Sequence, residues 1–172
     1  MIINVIGLGD TAKEFNPDGN LTLCVNDTNR LCDYRVIVDR FSAFSKGRQF
    51  ALMYNLVERT SKGVFSQLPE WDILKDKNFT HINLKAIHAH NNRWNEFIPS
   101  SNNSPFVACG VAYKYFNATE IRLWGVDMLD HPHLNGAMRE QSVKDFKLLQ
   151  KILNEKGRRI IPHEKSYLYG KI

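Results

Sequence analysis

Short apolar runs alternate with amphipathic segments along the whole chain, and this alternation restricts the fold more than any other feature of the sequence. Apolar runs of strand length occupy residues 2–6 (IINVI), 20–25 (NLTLCV) and 34–38 (YRVIV), and each run ends in polar or turn-forming residues. Further short strands are predicted over residues 63–65, 79–84, 120–125 and 159–161.

Three segments between these runs have the pattern of helices. Residues 41–60 are predicted to be mostly helical. Ser104 followed by Pro105 is typical of an N-cap and the first turn of a second helix. A third, amphipathic helix is predicted around residues 143–153, and Gly157 ends it. Strands that alternate with helices indicate an α/β fold, in which a mostly parallel sheet is flanked by helices on both faces.

The length and composition fit one domain. A chain of 172 residues, of which 43% are apolar, buries one substantial core and is short for two, so we expect a single domain over residues 1–172. We find neither a leader-like pattern nor an apolar run long enough to cross a bilayer. Cys24, Cys32 and Cys109 lack metal-finger spacing and fit core positions in a reducing compartment. A cytoplasmic location is therefore expected.

The charge distribution favours a small anionic ligand over a nucleic acid. The net charge is +5, but the basic residues are spread along the sequence instead of forming a stripe. Lys156, Arg158 and Arg159 form the one dense basic cluster in the sequence. Cations at this place also fit the end of the preceding helix, where they offset the negative end of the helix dipole.

The first apolar run leads into a glycine-containing loop, in the stretch NVIGLGDTAKEF. Gly7 and Gly9 allow the backbone to turn sharply and approach a ligand, and Thr11 is placed to cap a short helix whose N–H groups would face an anion. The third glycine of the dinucleotide fingerprint is replaced by Ala12, and the Lys-Ser/Thr pair of a P-loop is absent from the sequence. The loop predicts either a phosphate-binding turn or a purely structural one.

Polar residues also follow the other central strands. Asn26 comes after the second run, Asp39 after the third, and Gly125 with Asp127 after the run that ends in Trp124. Because ligands of parallel sheets bind beyond the carboxyl ends of the strands, these residues predict a binding site at that edge.

The order of these motifs resembles that of a known group of enzymes. After the loops that contain Gly-x-Gly-Asp-Thr, Asn26 and Asp39, the chain reads CGVAYKYFNATEIRLWGVDM. This order resembles the bacterial sialyltransferases with a single Rossmann-like nucleotide domain and the related 6-hydroxymethylpterin diphosphokinase-like proteins. Their first loop commonly reads Gly-x-Gly-Pro-Ser, and their later segment reads Ser-Gly, a small apolar helix and Gly-x-x-x-Ile-x-Leu-x-Gly-x-Asp. The resemblance implies a Rossmann-like fold and a nucleotide-dependent transferase.

The resemblance implies nucleotide contacts for the residues that match the first motifs. Gly7, Gly9 and Thr11 are expected to meet the phosphates, with Asp10 in place of the usual proline. Asn26 is expected to meet a phosphate or the ribose. Asp39 belongs to the same predicted set of nucleotide-binding residues.

The later motif implies four further contacts. Cys109 and Gly110 stand where the group has Ser-Gly, which implies that a helix begins there against the nucleotide. Gly125 and Asp127 are expected to close the site, and Asp127 to accept a hydrogen bond from a ribose or sugar hydroxyl. Three of them have a structural alternative, with Cys109 in the core, Gly110 in close helix packing and Asp127 as a cap of its loop.

Histidines supply candidates for acid–base chemistry. His131 and His133 lie just beyond Asp127, where an imidazole can deprotonate an acceptor hydroxyl near neutral pH. We therefore predict His131, His133 and Asp127 as catalytic residues. Loop histidines that only bind solvent are the alternative, and His163, after the last strand, is a further candidate.

The two His-x-His pairs raise the question of a metal. His88 with His90, and His131 with His133, would each present two rings on one face of an extended segment. Neither a Cys pair nor a His-Glu-x-x-His motif accompanies them in the sequence, so no metal site is predicted.

The Asn-rich segment over residues 88–105 is a candidate lid or binding loop. Arg93 and Trp94 would suit a phosphate and a base or sugar ring. The alternative is a disordered excursion.

Three functions follow from these features. The leading hypothesis is a nucleotide-dependent transferase, specifically a glycosyltransferase that uses a nucleotide-sugar donor. The second is a non-catalytic module that binds or sequesters a nucleotide-like ligand. The third is a diphosphokinase acting on a small heterocycle, which would need Mg²⁺ and ATP, although the sequence has no recognisable carboxylate pair for the metal. A nucleotide-type small molecule is the expected partner in all three.

Overall fold

The computed structural model of the chain describes residues 1–67, 78–86, 98–101, 103–129 and 135–172. The predictions on His88, His90, Arg93, Trp94 and the pair His131/His133 lie outside the described residues.

Seven parallel strands form the main sheet, in the order β5-β4-β3-β2-β1-β8-β9, and two short strands, β6 and β7, pair in parallel beside it. The strands are β1 (Ile2–Ile6), β2 (Leu21–Val25), β3 (Cys32–Ile37), β4 (Thr60–Ser66), β5 (Asn78–His81), β6 (Leu84–Ala86), β7 (Ile98–Ser100), β8 (Glu120–Trp124) and β9 (Arg159–Pro162). This arrangement confirms the predicted α/β Rossmann-like fold. The strand order reverses between β1 and β8, which is where such sheets open a crevice for ligands.

Three α-helices connect the strands: α1 (Lys46–Glu58), α2 (Ser104–Phe116) and α3 (Gly136–Asn154). Short 3-10 helices occupy Asp10–Glu14 and Phe41–Ala43.

The core shows that these helices cover both faces of the sheet. Val36 of β3 packs in the core that contains α2 and α3, whereas the next residue, Ile37, packs against α1. In the same way Val5 faces the α2 side and Ile6 faces the 3-10 helix Asp10–Glu14. Successive strand residues point to opposite faces, so α2 and α3 lie on one face and α1 with the 3-10 helix on the other.

Several predicted boundaries are wrong. The helix predicted over residues 41–60 begins only at Lys46, after a 3-10 turn and an extended N-cap residue, Ser45. The strand predicted over residues 79–84 is two strands, because β5 pairs with β4 while β6 pairs with β7. Strand β7 was not predicted at all.

The N-cap of α2 also differs from the prediction. Asn103, not Ser104, is the N-cap, and its side-chain oxygen accepts a hydrogen bond from the Phe106 N–H at 3.1 Å. Ser104 and Pro105 therefore form the first turn of the helix, where a proline needs no hydrogen-bond acceptor.

The three cysteines are buried and carry free thiols. Within the described ranges, no helix combines the length and the apolar character needed to cross a bilayer.

Candidate functional site

A cavity of about 680 Å³ opens at the carboxyl ends of the central strands. Its walls come from the loops that follow β1, β2, β3 and β8 and from the first turn of α2. Eight of the predicted site residues line it: Gly7, Gly9, Asp10, Thr11, Asn26, Asp39, Gly125 and Asp127. The topology therefore brings together residues that lie far apart in the sequence.

Cys109 and Gly110 do not line this cavity, and the helix start expected there is wrong. Helix α2 begins five residues earlier, at Ser104, and both residues lie fully inside its buried middle. A Cβ atom on Gly110 would come within 2.5 Å of Ile98 Cγ2. Close packing against β7 explains why a glycine is needed at position 110. Burial raises the pKa of the Cys109 thiol, which keeps the thiol neutral.

The two glycines of the first loop allow a close approach to the loop after β8. The Gly7 N–H donates to Trp124 O at 2.7 Å, and the Gly9 N–H donates to Gly125 O at 2.8 Å. A Cβ atom on Gly9 would lie 2.5 Å from Asp127 Oδ2, and one on Gly7 would overlap the Gly125 carbonyl. Both N–H groups therefore have acceptors inside the protein.

Two other N–H groups of the same loop are available to a ligand. Among the residues that the structure describes, the N–H groups of Leu8 and Asp10 have no hydrogen-bond acceptor. Both residues line the cavity and both are exposed. The N–H groups of Gly7 and Gly9 thus bind the protein, and those of Leu8 and Asp10 remain as donors for an anion.

Thr11 is tied to Asp127. The Thr11 N–H donates to Asp127 Oδ2 at 2.9 Å, and the Thr11 hydroxyl donates to Asp127 Oδ1. The same hydroxyl accepts a hydrogen bond from the Gly125 N–H at 2.7 Å. The expectation that Thr11 caps the short helix is wrong, because Gly9 is the N-cap residue and Thr11 lies within the helix. These bonds use both carboxylate oxygens to join the loops after β1 and β8.

Asn26 lines the cavity and has one buried side-chain atom without a partner among the described residues. The residue is 6% exposed and has a left-handed backbone, with φ of 50°. Its Nδ2 donates to Ser104 Oγ at 3.3 Å and to Asp39 Oδ2 at 3.4 Å. Its Oδ1 is buried and lacks a hydrogen-bond partner within the described part of the chain. A buried oxygen without a hydrogen-bond donor costs free energy, so this side chain is a candidate for a functional position.

Arg35 fixes the loop that carries Asn26, although it is not one of the predicted site residues. Its side chain is fully buried, and Nη1 donates to Asn26 O at 2.6 Å and to Thr28 O at 3.0 Å. Nε donates to Thr60 Oγ1 at 3.1 Å. An arginine within the apolar run YRVIV was the available signal, since a charged residue is rarely buried without a specific role.

Two cations at the cavity wall, Arg48 and Lys165, are also additions to the predicted site. Arg48 donates to both oxygens of Asp27, at 2.9 and 2.5 Å, and this hydrogen bonding raises the pKa of the guanidinium. Lys165 donates to Glu14 Oε1 at 2.7 Å, which raises the lysine pKa and lowers that of Glu14. Both cations already have carboxylate partners, so the free N–H groups are the clearer donors for a phosphate.

His163 does not line the cavity. Its ring centroid is 5.2 Å from that of Trp124, and its Nε2 is 3.6 Å from Glu14 Oε2. Over the described residues, His, Cys, Asp and Glu side chains do not gather in any group of three that could hold a metal ion.

The comparisons with known proteins give a fold and no family. No family model matches the sequence, and no curated protein is detectably similar to it. Among solved structures, the crystal structure of a mutant of the alpha-2,3/8-sialyltransferase CstII matches with a TM-score of 0.61. The match covers 100% of this chain and 85% of CstII, at 13% sequence identity. The chain shares the fold of a sialyltransferase.

The likeness to CstII agrees with the sialyltransferase part of the sequence resemblance. At this level of identity it concerns the fold alone, because one fold hosts many functions. The diphosphokinase part of the resemblance has no counterpart in the match to CstII.

Proposed function

We propose that this chain is a nucleotide-dependent transferase of the glycosyltransferase kind, which binds a nucleotide-sugar in the cavity at the carboxyl edge of the sheet. The observation that carries the proposal is the pair of N–H groups, of Leu8 and Asp10, that lack an acceptor among the described residues and belong to the loop lining that cavity. A volume of about 680 Å³ is in the range of sites for small ligands.

The phosphates of the donor would lie between the first loop and α2. The wall of the cavity includes Leu8 and Asp10, whose N–H groups have no acceptor among the described residues, and the amino end of α2 at Ser104. N–H groups and the positive end of a helix dipole stabilise negative charge, so they would favour the phosphate that leaves when the sugar is transferred.

The chemical step requires a base for the acceptor hydroxyl. We propose His131 or His133 for this role, since both follow Asp127 closely in the sequence. Asp127 itself, predicted as a catalytic residue, would act as the anchor of the two loops, because both of its oxygens already accept hydrogen bonds from Thr11.

The test is a thermal-shift panel of CMP, CDP, UDP, GDP and ATP, with and without Mg²⁺. A ligand at one hundred times its dissociation constant adds about 2.7 kcal/mol, which raises the Tm of a domain of this size by about 5–10 °C. A selective shift with a cytidine or uridine nucleotide is the expected result.

A matched pair of variants locates the binding. Asn26 and Asn117 are both left-handed asparagines, with φ of 50° and 54°, but only Asn26 lines the cavity. Glycine relieves the backbone strain at both positions. Asn26→Gly should abolish the shift, whereas Asn117→Gly should keep it. Equal shifts in both variants, or no shift with any nucleotide, would contradict the proposal.

Gly9→Val, the obvious substitution in the same loop, is an unsuitable test of phosphate binding. The new side chain would collide with Asp127 and with the Gly125 carbonyl. Loss of binding would then report a disrupted loop instead of a lost phosphate contact.

A non-catalytic binding module is the second candidate. It is favoured by the hydrogen bonds that occupy both oxygens of Asp127, because this carboxylate is not free to act as a base.

A measurement of turnover distinguishes the transferase from the binding module. Release of free sugar from a nucleotide-sugar that shifts the Tm, lost in a His131→Ala/His133→Ala double variant with retained binding, would support the transferase. A shift with ATP that needs Mg²⁺ would instead favour the diphosphokinase.

A further inference from the structure

The basic cluster at the end of α3 is divided into two parts with different partners. Arg159 lies on β9, and its Nη2 and Nε donate to Glu120 Oε2 at 2.5 and 2.8 Å. Lys156 and Arg158 instead contact the last turn of α2, at Tyr113 and Asn117. Glu120 therefore neutralises the charge of Arg159 on the sheet. The charges of Lys156 and Arg158 lie beside the end of α2.

Lys156 and Arg158 line a concavity of about 380 Å³ together with Tyr113, Lys114 and Asn117. Three of these five side chains are cations, and the described lining contains no carboxylate. The concavity lies at the edge where β8 and β9 begin, whereas the nucleotide cavity lies where the strands end. A strand of this length separates the two edges by about 16 Å.

The two cations are held by Tyr113. Lys156 Nζ lies 5.2 Å and Arg158 Cζ lies 5.0 Å from the centre of its ring. Lys156 also donates to the Tyr113 hydroxyl at 2.5 Å, and Arg158 Nη2 donates to Asn117 Oδ1 at 2.5 Å. Tyr113 is 6% exposed, so the ring is a fixed support for both side chains.

Helix capping explains the position of Arg158 but not that of Lys156. Arg158 Nη1 donates to the Ala118 carbonyl at 3.4 Å, as expected for a cation beside the end of α2. Lys156 reaches a phenol hydroxyl, and within the described residues neither Lys156 nor Arg158 has a carboxylate within 4.0 Å. Because both lie beside one ring, they are at most about 10 Å apart, which is about one Debye length at 0.1 M salt.

We propose that this concavity, formed by residues 113–117 and 156–158, is a second anion site that binds the phosphate group of a small molecule. Lys156 and Arg158 would bind its oxygens, as ammonium and guanidinium groups commonly do. The cations that line the concavity suit a phosphomonoester or a pyrophosphate group. This site is independent of the nucleotide cavity.

Inorganic pyrophosphate is the probe, followed by amide NMR of the ¹⁵N-labelled full chain at constant ionic strength. Saturable shifts are expected at the amides of residues 113–118 and 156–158. Lys156→Gln should weaken pyrophosphate binding about tenfold, which corresponds to about 1.4 kcal/mol. Lys156→Arg should retain it, because the charge remains. Lys156 is exposed, so both variants should fold.

Arg159→Gln is the matched control. It removes the same charge from the same cluster, but from a side chain that Glu120 neutralises. Affinity within about twofold of the wild type is expected for this variant, because its charge is not part of the site. An equal loss in Arg159→Gln, an unchanged affinity in Lys156→Gln, or the same shifts with NaCl alone would overturn the proposal. Shifts confined to residues 7–11 and 104 would also overturn it, because they would assign the pyrophosphate to the nucleotide cavity.

A lipid headgroup is another source of the same phosphate chemistry. Co-sedimentation with vesicles that contain phosphatidylglycerol, lost in Lys156→Gln and retained in Arg159→Gln, would support the site and identify a lipid as the source. Saturable pyrophosphate binding without such co-sedimentation would support a soluble phosphate compound. Failure of both assays would overturn the proposal.

Discussion

Asp127 and Thr11 form the contact that joins the loops after β1 and β8 at the cavity beyond the carboxyl ends of the strands. Thr11 donates to the carboxylate through its N–H and its hydroxyl, and the Gly125 N–H donates to the same hydroxyl. Asp127 is 8% exposed, so these bonds replace water almost completely. Hydrogen bonds to a charged group contribute about 1.5–3 kcal/mol each to stability.

Asp127→Asn should therefore lower the free energy of unfolding by about 1–3 kcal/mol, because an amide offers one acceptor where the carboxylate offers two. Urea denaturation measures the change. Asp10→Asn is the control on the same loop, since the side chain of Asp10 is 91% exposed, and its effect should stay within about 0.5 kcal/mol. Equal stability of the two variants would contradict the role of Asp127 as an anchor.

Glu120 should make stability depend on pH in the acid range. Burial acts to raise its pKa, but hydrogen bonds and charges from Arg159 and Arg122 outweigh burial and hold the pKa below the ordinary value of 4.5. A carboxyl group with a lowered pKa in the folded state adds stability that is complete above the ordinary pKa and is lost as the pH falls through the folded-state pKa.

The free energy of unfolding should therefore fall below pH 4.5, and it should fall less steeply in Glu120→Gln. Urea titrations between pH 7 and pH 2.5 test this expectation. Glu155→Gln, which removes an exposed carboxylate at the end of α3, should keep the wild-type slope. Identical slopes in the wild type and Glu120→Gln would exclude the contribution.

At the scale of the elements, the N-cap residue of helix α2 also links this helix to α3. Its N-cap, Asn103, is buried and also donates to Ser142 Oγ of α3 at 3.3 Å. The N-cap of α3, Asn135, makes the same capping bond, to the Met138 N–H at 2.9 Å, but on an exposed surface.

Asn103→Ala should cost about 1–2 kcal/mol of stability and Asn135→Ala about 0.5–1 kcal/mol, since only the first substitution also leaves a buried hydroxyl without its partner. Chemical denaturation of the two variants gives the comparison. A larger loss in Asn135→Ala would mean that the link between α2 and α3 contributes little.

The contact between α2 and β7 should be sensitive to a single methyl group. Gly110→Ala would place a Cβ atom 2.5 Å from Ile98 Cγ2, and overpacking of this kind costs about 1–3 kcal/mol. Gly136→Ala, at the start of α3, meets no atom within 4 Å and should be neutral or stabilising by up to about 1 kcal/mol. Similar thermal midpoints for both variants would argue against the close approach.

The elements show which local sequence signals predicted the secondary structure and which did not. The alternation of apolar residues predicted β1, β2 and β8 to within one residue, because each is a buried run bounded by turns. Strand β7 has three residues, and its pattern is too short to distinguish from a loop. The family motif at Cys109 predicted a helix start inside a continuous helix, because a small-residue pair fits helix packing equally well.

At the scale of the whole molecule, a single domain over residues 1–172 is a prediction that unfolding can test. A chain with one core should unfold in one cooperative transition, with the same midpoint by tryptophan fluorescence and by far-ultraviolet circular dichroism. Calorimetric and van't Hoff enthalpies should then agree as well. Two separate midpoints would indicate that part of the chain folds independently.

The sequence by itself determined the α/β class, the order of the central strands along the chain and the loops that line the cavity. These properties follow from local periodicity and from the rule that ligands meet parallel strands at their carboxyl ends.

Only the tertiary structure decided which groups in those loops are free. The Thr11 N–H is taken by a carboxylate 116 positions away, whereas Asn26 Oδ1 is left without a partner among the described residues. Arg159 is neutralised by Glu120, 39 positions away, whereas Lys156 binds the Tyr113 hydroxyl and Arg158 lies beside the Tyr113 ring. Hydrogen bonding and charge compensation depend on neighbours that folding brings together, and the order of residues along the chain does not specify them.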